Sequence, residues 1–148
     1  MLAMQRLLEN HLYFVMVYSR WIQSENWPTT RDTFFGKLPP VIKQIVPNLV
    51  QRKLMRDLKG HGIGHHEAET LYDFGKQDIQ VIADFLSDKP FMMGERPRTL
   101  DAIAYSFIAG LLMVPLDTPL KRFALEYPEL KTYCLRMQTR YYPDLISG

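Results

Sequence analysis

Apolar side chains recur at steps of three and four through the start of the chain. Met4, Leu8, Leu12, Val15 and Ile22, with Ser19 among them, fall on one helical face. A second strip, Leu7, Phe14, Val17, Tyr18 and Trp21, lies beside it. The stretch from Leu12 to Tyr18 is therefore apolar almost all round and needs cover on more than one side. The pattern predicts a single helix from Met1 to about Gln23. Met1-Leu2-Ala3-Met4 offers no Ser, Thr, Asp or Asn where an N-cap belongs. Such a start implies either that natural sequence precedes residue 1 or that the helix frays there.

Trp27-Pro28-Thr29-Thr30 reads as a break, followed by one short helical turn over Arg31 to Phe35. After a linker from Gly36 to Pro40, a second long helix is expected from about Pro40 to Leu58, bent by Pro47, which removes a hydrogen bond from its middle. Gly60-His61-Gly62-Ile63-Gly64 ends it. A third helix, about His66 to Ser87, places Leu71, Phe74, Ile79, Ile82, Ala83 and Leu86 on its buried side, with acids near its start where the dipole favours them. A tight turn then leads into a helix near 99 to 113. From Leu100 to Val114 its only polar side chains are Asp101, Tyr105 and Ser106, the pattern of a central, buried helix. Short helices from about Pro119 to Glu126 and Pro128 to Thr139 follow. No alternating strand pattern and no repeat emerges, so the fold class is all-α, one helical bundle over residues 1–148.

Composition changes this picture little. At 47% apolar and 23% charged residues the chain is ordinary globular protein, and 148 residues suit one domain. A formal charge of +2 gives no reason to expect nucleic acid as a partner. One cysteine excludes an internal disulfide framework and fits a reducing, cytoplasmic setting. The longest apolar run, about 100 to 116, is broken by Asp101 and too short for a membrane span. No cleavable leader is recognisable.

Three segments together resemble the C-terminal helical domain of glutathione S-transferases, and most of all the branch that includes metaxins and failed-axon-connections proteins, with bacterial relatives. They are Leu8-Glu9-Asn10-His11-Leu12-Tyr13-Phe14 through Tyr18-Ser19-Arg20-Trp21, Gly60 to His66, and Asp88-Lys89-Pro90-Phe91-Met92-Met93-Gly94-Glu95-Arg96-Pro97 followed by Leu100-Asp101-Ala102. Tyr127-Pro128-Glu129-Leu130 and Tyr141-Tyr142-Pro143 extend the likeness downstream. The resemblance implies that a thioredoxin-like N-terminal domain, absent from this sequence, holds glutathione as co-substrate. The helical domain would wall an apolar pocket for a small hydrophobic electrophile, be inactive alone, and form a homodimer, often through its first two helices. The alternative is a non-enzymatic protein-interaction domain of metaxin type.

No catalytic residue emerges within the chain. Asp101 lacks a second acid or His at a helical step, which makes it a structural cap for the free amides of its helix. The resembling proteins usually carry Ser or Thr three residues before this Asp; here Arg98 stands there, with Thr99 next to it as a second candidate cap. His61, His65 and His66 with Glu67 and Glu69 lack the His-Glu-x-x-His order and provide two ligands on one helix face at most, so no metal is expected. The glycine run follows a helix, not a strand, and fails as a nucleotide fingerprint. Cys134 sits at a buried-face spacing and reads as inert. The aromatic, Met-rich face of the first helix is the best functional surface. The resemblance places it at the cleft between the two domains, with Tyr13, Tyr18, Arg20 and Trp21 as the candidate substrate-binding residues; which of them faces the cleft is left open by spacing alone.

Overall fold

A computed structural model describes residues 1–143. It contains seven helices and, among the described residues, no strand. Helix α1 runs continuously from Leu2 to Ile22, α-helical over Leu2–Leu7 and Tyr13–Val17 and widened to π-helix over Leu8–Leu12 and Tyr18–Ile22. Met4, Leu8, Leu12, Val15 and Ser19 are buried on the expected face, while Leu7, Phe14, Val17 and Tyr18 cover its flank.

Helix α2 spans Trp27–Phe35. The expected break at Trp27 to Thr30 is instead its first turn, because Pro28 sits where a missing N–H costs nothing. Helix α3, Pro40–His61, outruns its expected end by three residues. It stops at Gly62, not Gly60, since Gly62 takes the left-handed conformation (φ 99°) that terminates helices. Of its 22 residues only Pro47 and Leu58 are buried, so α3 lies on the outside of the bundle.

After a 3-10 turn at Ile63–His65, α4 (Ala68–Leu86) buries Leu71, Ile79, Ile82, Ala83 and Leu86. Phe74, expected with them, is only partly buried; Gly75 and Asp78 take the inner positions. Helix α5 covers Thr99–Leu112, α6 Pro119–Ala124 and α7 Pro128–Tyr141. Leu100, Ala104 and Ile108 of α5, Leu120 of α6 and Leu130, Tyr133 and Met137 of α7 close one hydrophobic core with α1 and α4.

Helix α5 is central but not covered on every side. Ala102, Ser106 and Met113 are exposed, and Ile103, Tyr105, Phe107, Ala109 and Gly110 are half-buried. An apolar helix face thus opens beside α1. Apart from Leu2 and Tyr13, the large apolar residues of α1 are covered, while Val41, Ile42, Ile45 and Leu49 stand out on α3. Among the described residues no helix is long and apolar enough to cross a membrane.

Candidate functional site

The turn before α5 is closed by reciprocal hydrogen bonds between Phe91 and Gly94, at 3.1 and 3.0 Å, with Gly94 at φ 115°. It delivers the chain to Arg98, the N-cap of α5, and makes Thr99 the first helical residue. The carboxylate of Asp101 accepts the N–H of Arg98 at 2.8 Å and, with its other oxygen, the N–H of Met92 at 2.7 Å. Tyr133 of α7 presents its hydroxyl to the same carboxylate at 3.1 Å and to the Asp101 carbonyl at 3.0 Å. Asp101 therefore ties turn, cap and α7 together, and Thr99 is not the cap. Burial, with the adjacent Asp101 adding to it, pushes the Tyr133 phenol far above its usual range.

The other end of α5 meets the C-terminal turn of α1. Three side chains satisfy the last carbonyls of α1: Asn26 bonds Ser19 at 2.8 Å, Thr30 bonds Arg20 at 2.9 Å and Gln51 bonds Trp21 at 2.8 Å. Asn26 and Thr30 are buried, so this turn is held from beneath by α2 and α3. Arg20 and Trp21 consequently project from a fixed backbone. Trp21 packs its ring 4.9 Å from that of Phe34 and 6.1 Å from that of Trp27.

A groove of about 300 Å³ opens here, lined by Tyr13, Met16, Val17, Arg20 and Trp21 of α1 and by Ser106, Phe107 and Gly110 of α5. Tyr13 meets the edge of Phe107 at 6.4 Å across it. Three of the four candidate residues, Tyr13, Arg20 and Trp21, come together in this groove. Tyr18 does not line it. It turns to the core on the α4 side, close to Tyr72, whose phenol is raised chiefly by burial. A step of two from Met16 or Arg20 carries a helical residue to the far side, which explains the separation. The α5 wall was missed because an all-apolar run reads as buried. The signal that could have revealed it is the i, i+3, i+4 spacing of Ser106 or Phe107 to Gly110.

Arg20 is the charged group of the groove. One of its terminal nitrogens donates to the Gly110 carbonyl, one of the last carbonyls of α5. Burial holds its pKa below the usual guanidinium value. Among the described residues it forms no ion pair and no carboxylate lines the groove.

The other candidate chemistry disperses. His61 stacks on Phe14 at 3.8 Å, His66 meets the edge of Phe74, and His11 bonds Asp78 at 2.6 Å. Among the described residues no group of three or more His, Cys, Asp or Glu could hold a metal. Cys134 is fully buried, and burial pushes its thiol up to about 12. A wider hollow of about 610 Å³, lined by Arg98, Tyr105, Tyr141 and Tyr142 among others, lies at the edge of the described region.

Comparison with known proteins bears on this arrangement. A family model described as glutathione S-transferase, C-terminal domain, matches residues 75–137. Failed axon connections of Drosophila melanogaster is 33% identical over 150 residues, 93% of this chain and 36% of that protein. The isoprene-epoxide--glutathione S-transferase of Rhodococcus sp. (strain AD45) is 26% identical over 95% of this chain and 60% of its own length. Metaxin-1 of Homo sapiens is 28% identical over 96% of this chain and 32% of its own length. The chain thus spans between about a third and 60% of these relatives. No solved structure matches it.

Proposed function

Since the chain is a helical domain of the glutathione S-transferase C-terminal type, similar to the branch of failed axon connections and metaxins, we propose that it walls the second-substrate pocket of a longer, glutathione-using protein. The observation that carries this reading is the groove between α1 and α5, where Tyr13, Trp21 and Phe107 offer apolar ring surface on a rigid backbone. In the reaction a glutathione thiolate forms a sulfur–carbon bond with an apolar electrophile. With an epoxide, the kind of electrophile named for the Rhodococcus relative, a ring carbon–oxygen bond breaks and the oxygen takes up a proton. We assign the donor that stabilises this thiolate to a domain outside this sequence. Cys134 and Tyr133 do not serve, since both stand in the core and burial drives them towards their neutral forms. In this reading glutathione is held by a thioredoxin-like domain outside this sequence, and the helical domain is inactive alone.

The test compares the 148-residue chain with the longer protein that carries it, each mixed with glutathione and styrene oxide. Loss of thiol above the buffer rate is expected for the longer protein only. Conjugation by the short chain would overturn its inactivity; a longer protein that neither binds glutathione nor consumes the epoxide would sink the enzyme reading.

One observation favours the alternative of an interaction domain. Val41, Ile45 and Leu49 form a row on α3, 55 to 70% exposed, with Ile42 and Phe34 alongside. This row is the proposed face for a second copy of the chain, in a two-fold contact. Light scattering should show a dimer that Ile45→Glu converts to monomer. A monomeric parent, or a dimer that survives the substitution, removes the role assigned to this face.

A further inference from the structure

Resting on the reading of the groove as a substrate pocket, we propose that its ligand is an aromatic acid, gripped through its carboxylate by the guanidinium of Arg20 while the rings of the groove hold its apolar body.

Three observations lead there. First, Arg20 is charged and only partly spent. A guanidinium carries five N–H donors, and the chain uses one nitrogen, Nη2, for the Gly110 carbonyl. Among the described residues no buried side-chain nitrogen lacks a partner. The remaining Nε and Nη1, which bond to no other group among the described residues, must therefore reach open space.

Second, that space is the groove. On the inner side of Arg20, beside Leu111 and Leu120, the cavity amounts to about 10 Å³, barely one water molecule. On the outer side it is about 300 Å³ and bordered by Tyr13, Trp21 and Phe107. A carboxylate fits the free edge of a guanidinium with two parallel bonds, and the walls leave the ring of an aromatic acid against other rings. Among the described residues no carboxylate lines this position.

Third, the backbone is built around it. Arg20 lies in the second π-helical stretch of α1, Tyr18–Ile22, a local widening that is frequent at functional sites. Asn26, Thr30 and Gln51 fix the carbonyls on that turn, so the guanidinium is set in place before any ligand arrives.

The experiment titrates the 148-residue chain with 2-naphthoate, its uncharged counterpart 2-naphthalenemethanol, and propionate, by calorimetry at low and moderate salt. The naphthoate should bind about tenfold or more tightly than either other probe, since a hydrogen bond to a charged group contributes about that factor. Its advantage over the alcohol should shrink as salt rises. Arg20→Gln should abolish that advantage and leave the alcohol unchanged, and Arg20→Lys should restore part of it. The wild-type comparison of the three probes decides the matter even if the variants fold poorly. Naphthoate and alcohol binding equally would overturn the acid preference and leave the apolar pocket standing. Propionate binding as tightly as naphthoate would also overturn it, pointing instead to an acidic side chain of a protein partner as the occupant. If no probe binds, the pocket reading itself falls.

Discussion

Helix α5 meets one charged side chain near each end, and the two are opposites. Asp101, at its start, is fully buried and accepts from two backbone amides and a tyrosine hydroxyl. Arg20, at its end, spends one nitrogen on the Gly110 carbonyl and turns the rest to an open groove. A buried charge costs several kcal/mol unless every lone pair is answered, so a fold either saturates the ion or leaves it within reach of something outside. Saturation marks Asp101 as a fastening. Incompleteness marks Arg20 as a receptor.

The largest effect should come from breaking the fastening. Asp101→Ala orphans the buried amide of Met92 and frees Tyr133, a loss of about 3–5 kcal/mol. For a chain of this size that lowers the melting temperature by roughly 10 °C or more. A shift of only a degree or two in calorimetry would show that Asp101 is not what holds the turn. Tyr133→Phe removes one hydroxyl from the same carboxylate while keeping the ring, and should cost about 1–2 kcal/mol. If it costs as much as Asp101→Ala, α7 and not the turn is the dominant partner.

Arg20→Gln belongs to the other end of the scale. Only the Gly110 bond is lost, at a helix terminus that water can reach, so the loss should stay below about 1 kcal/mol and the melting temperature within roughly 3 °C. A collapse comparable to Asp101→Ala would make Arg20 a second fastening and end the contrast.

Much of the core arrangement was legible in the sequence, because a core is written in periodic apolar positions: Leu8, Leu12 and Val15, or Leu71, Ile79 and Ile82, announce their faces. The all-α class and the likeness to glutathione S-transferase C-terminal domains followed from such positions and from the turn into Asp101. The groove was half legible. Its α1 wall was suspected from surplus aromatics, but Tyr18 was assigned to it along with Tyr13 and Arg20, since spacing does not say which flank of a broad strip will be covered. Its α5 wall was hidden, because Phe107 and Gly110 sit in a run that reads as buried on all sides. The first turn of α2 was lost to Pro28, which was read as a break although it sits where a proline suits the start of a helix. The family match, over residues 75–137, takes in Asp101 and Tyr133 but not Arg20. It therefore speaks for the fastening and leaves the α1 side of the receptor to the geometry.

Asp78 offers a third case between the two, and the smallest expected effect. It is buried in the middle of α4, with Nδ1 of His11, in the other π-helical stretch of α1, at 2.6 Å from its carboxylate. Burial raises its pKa above the usual carboxylate value, with the His11 bond acting in the opposite direction and losing. A carboxyl whose pKa is higher in the folded chain favours folding fully below the unfolded value. That contribution is lost as pH climbs through the raised one. At pH 7 the ionised Asp78 therefore weighs against the fold, a charge neither saturated like Asp101 nor opened to a groove like Arg20. Asp78→Asn keeps an oxygen to accept from His11 and removes the charge. It should melt about 1–2 °C above the parent at pH 7, with the gain vanishing below about pH 4, where the parent's own carboxyl is protonated. Melting curves of both proteins across that range measure it. A variant less stable than the parent at pH 7 would mean that the His11 pair outweighs burial, and Asp78 would then join Asp101 among the fastenings.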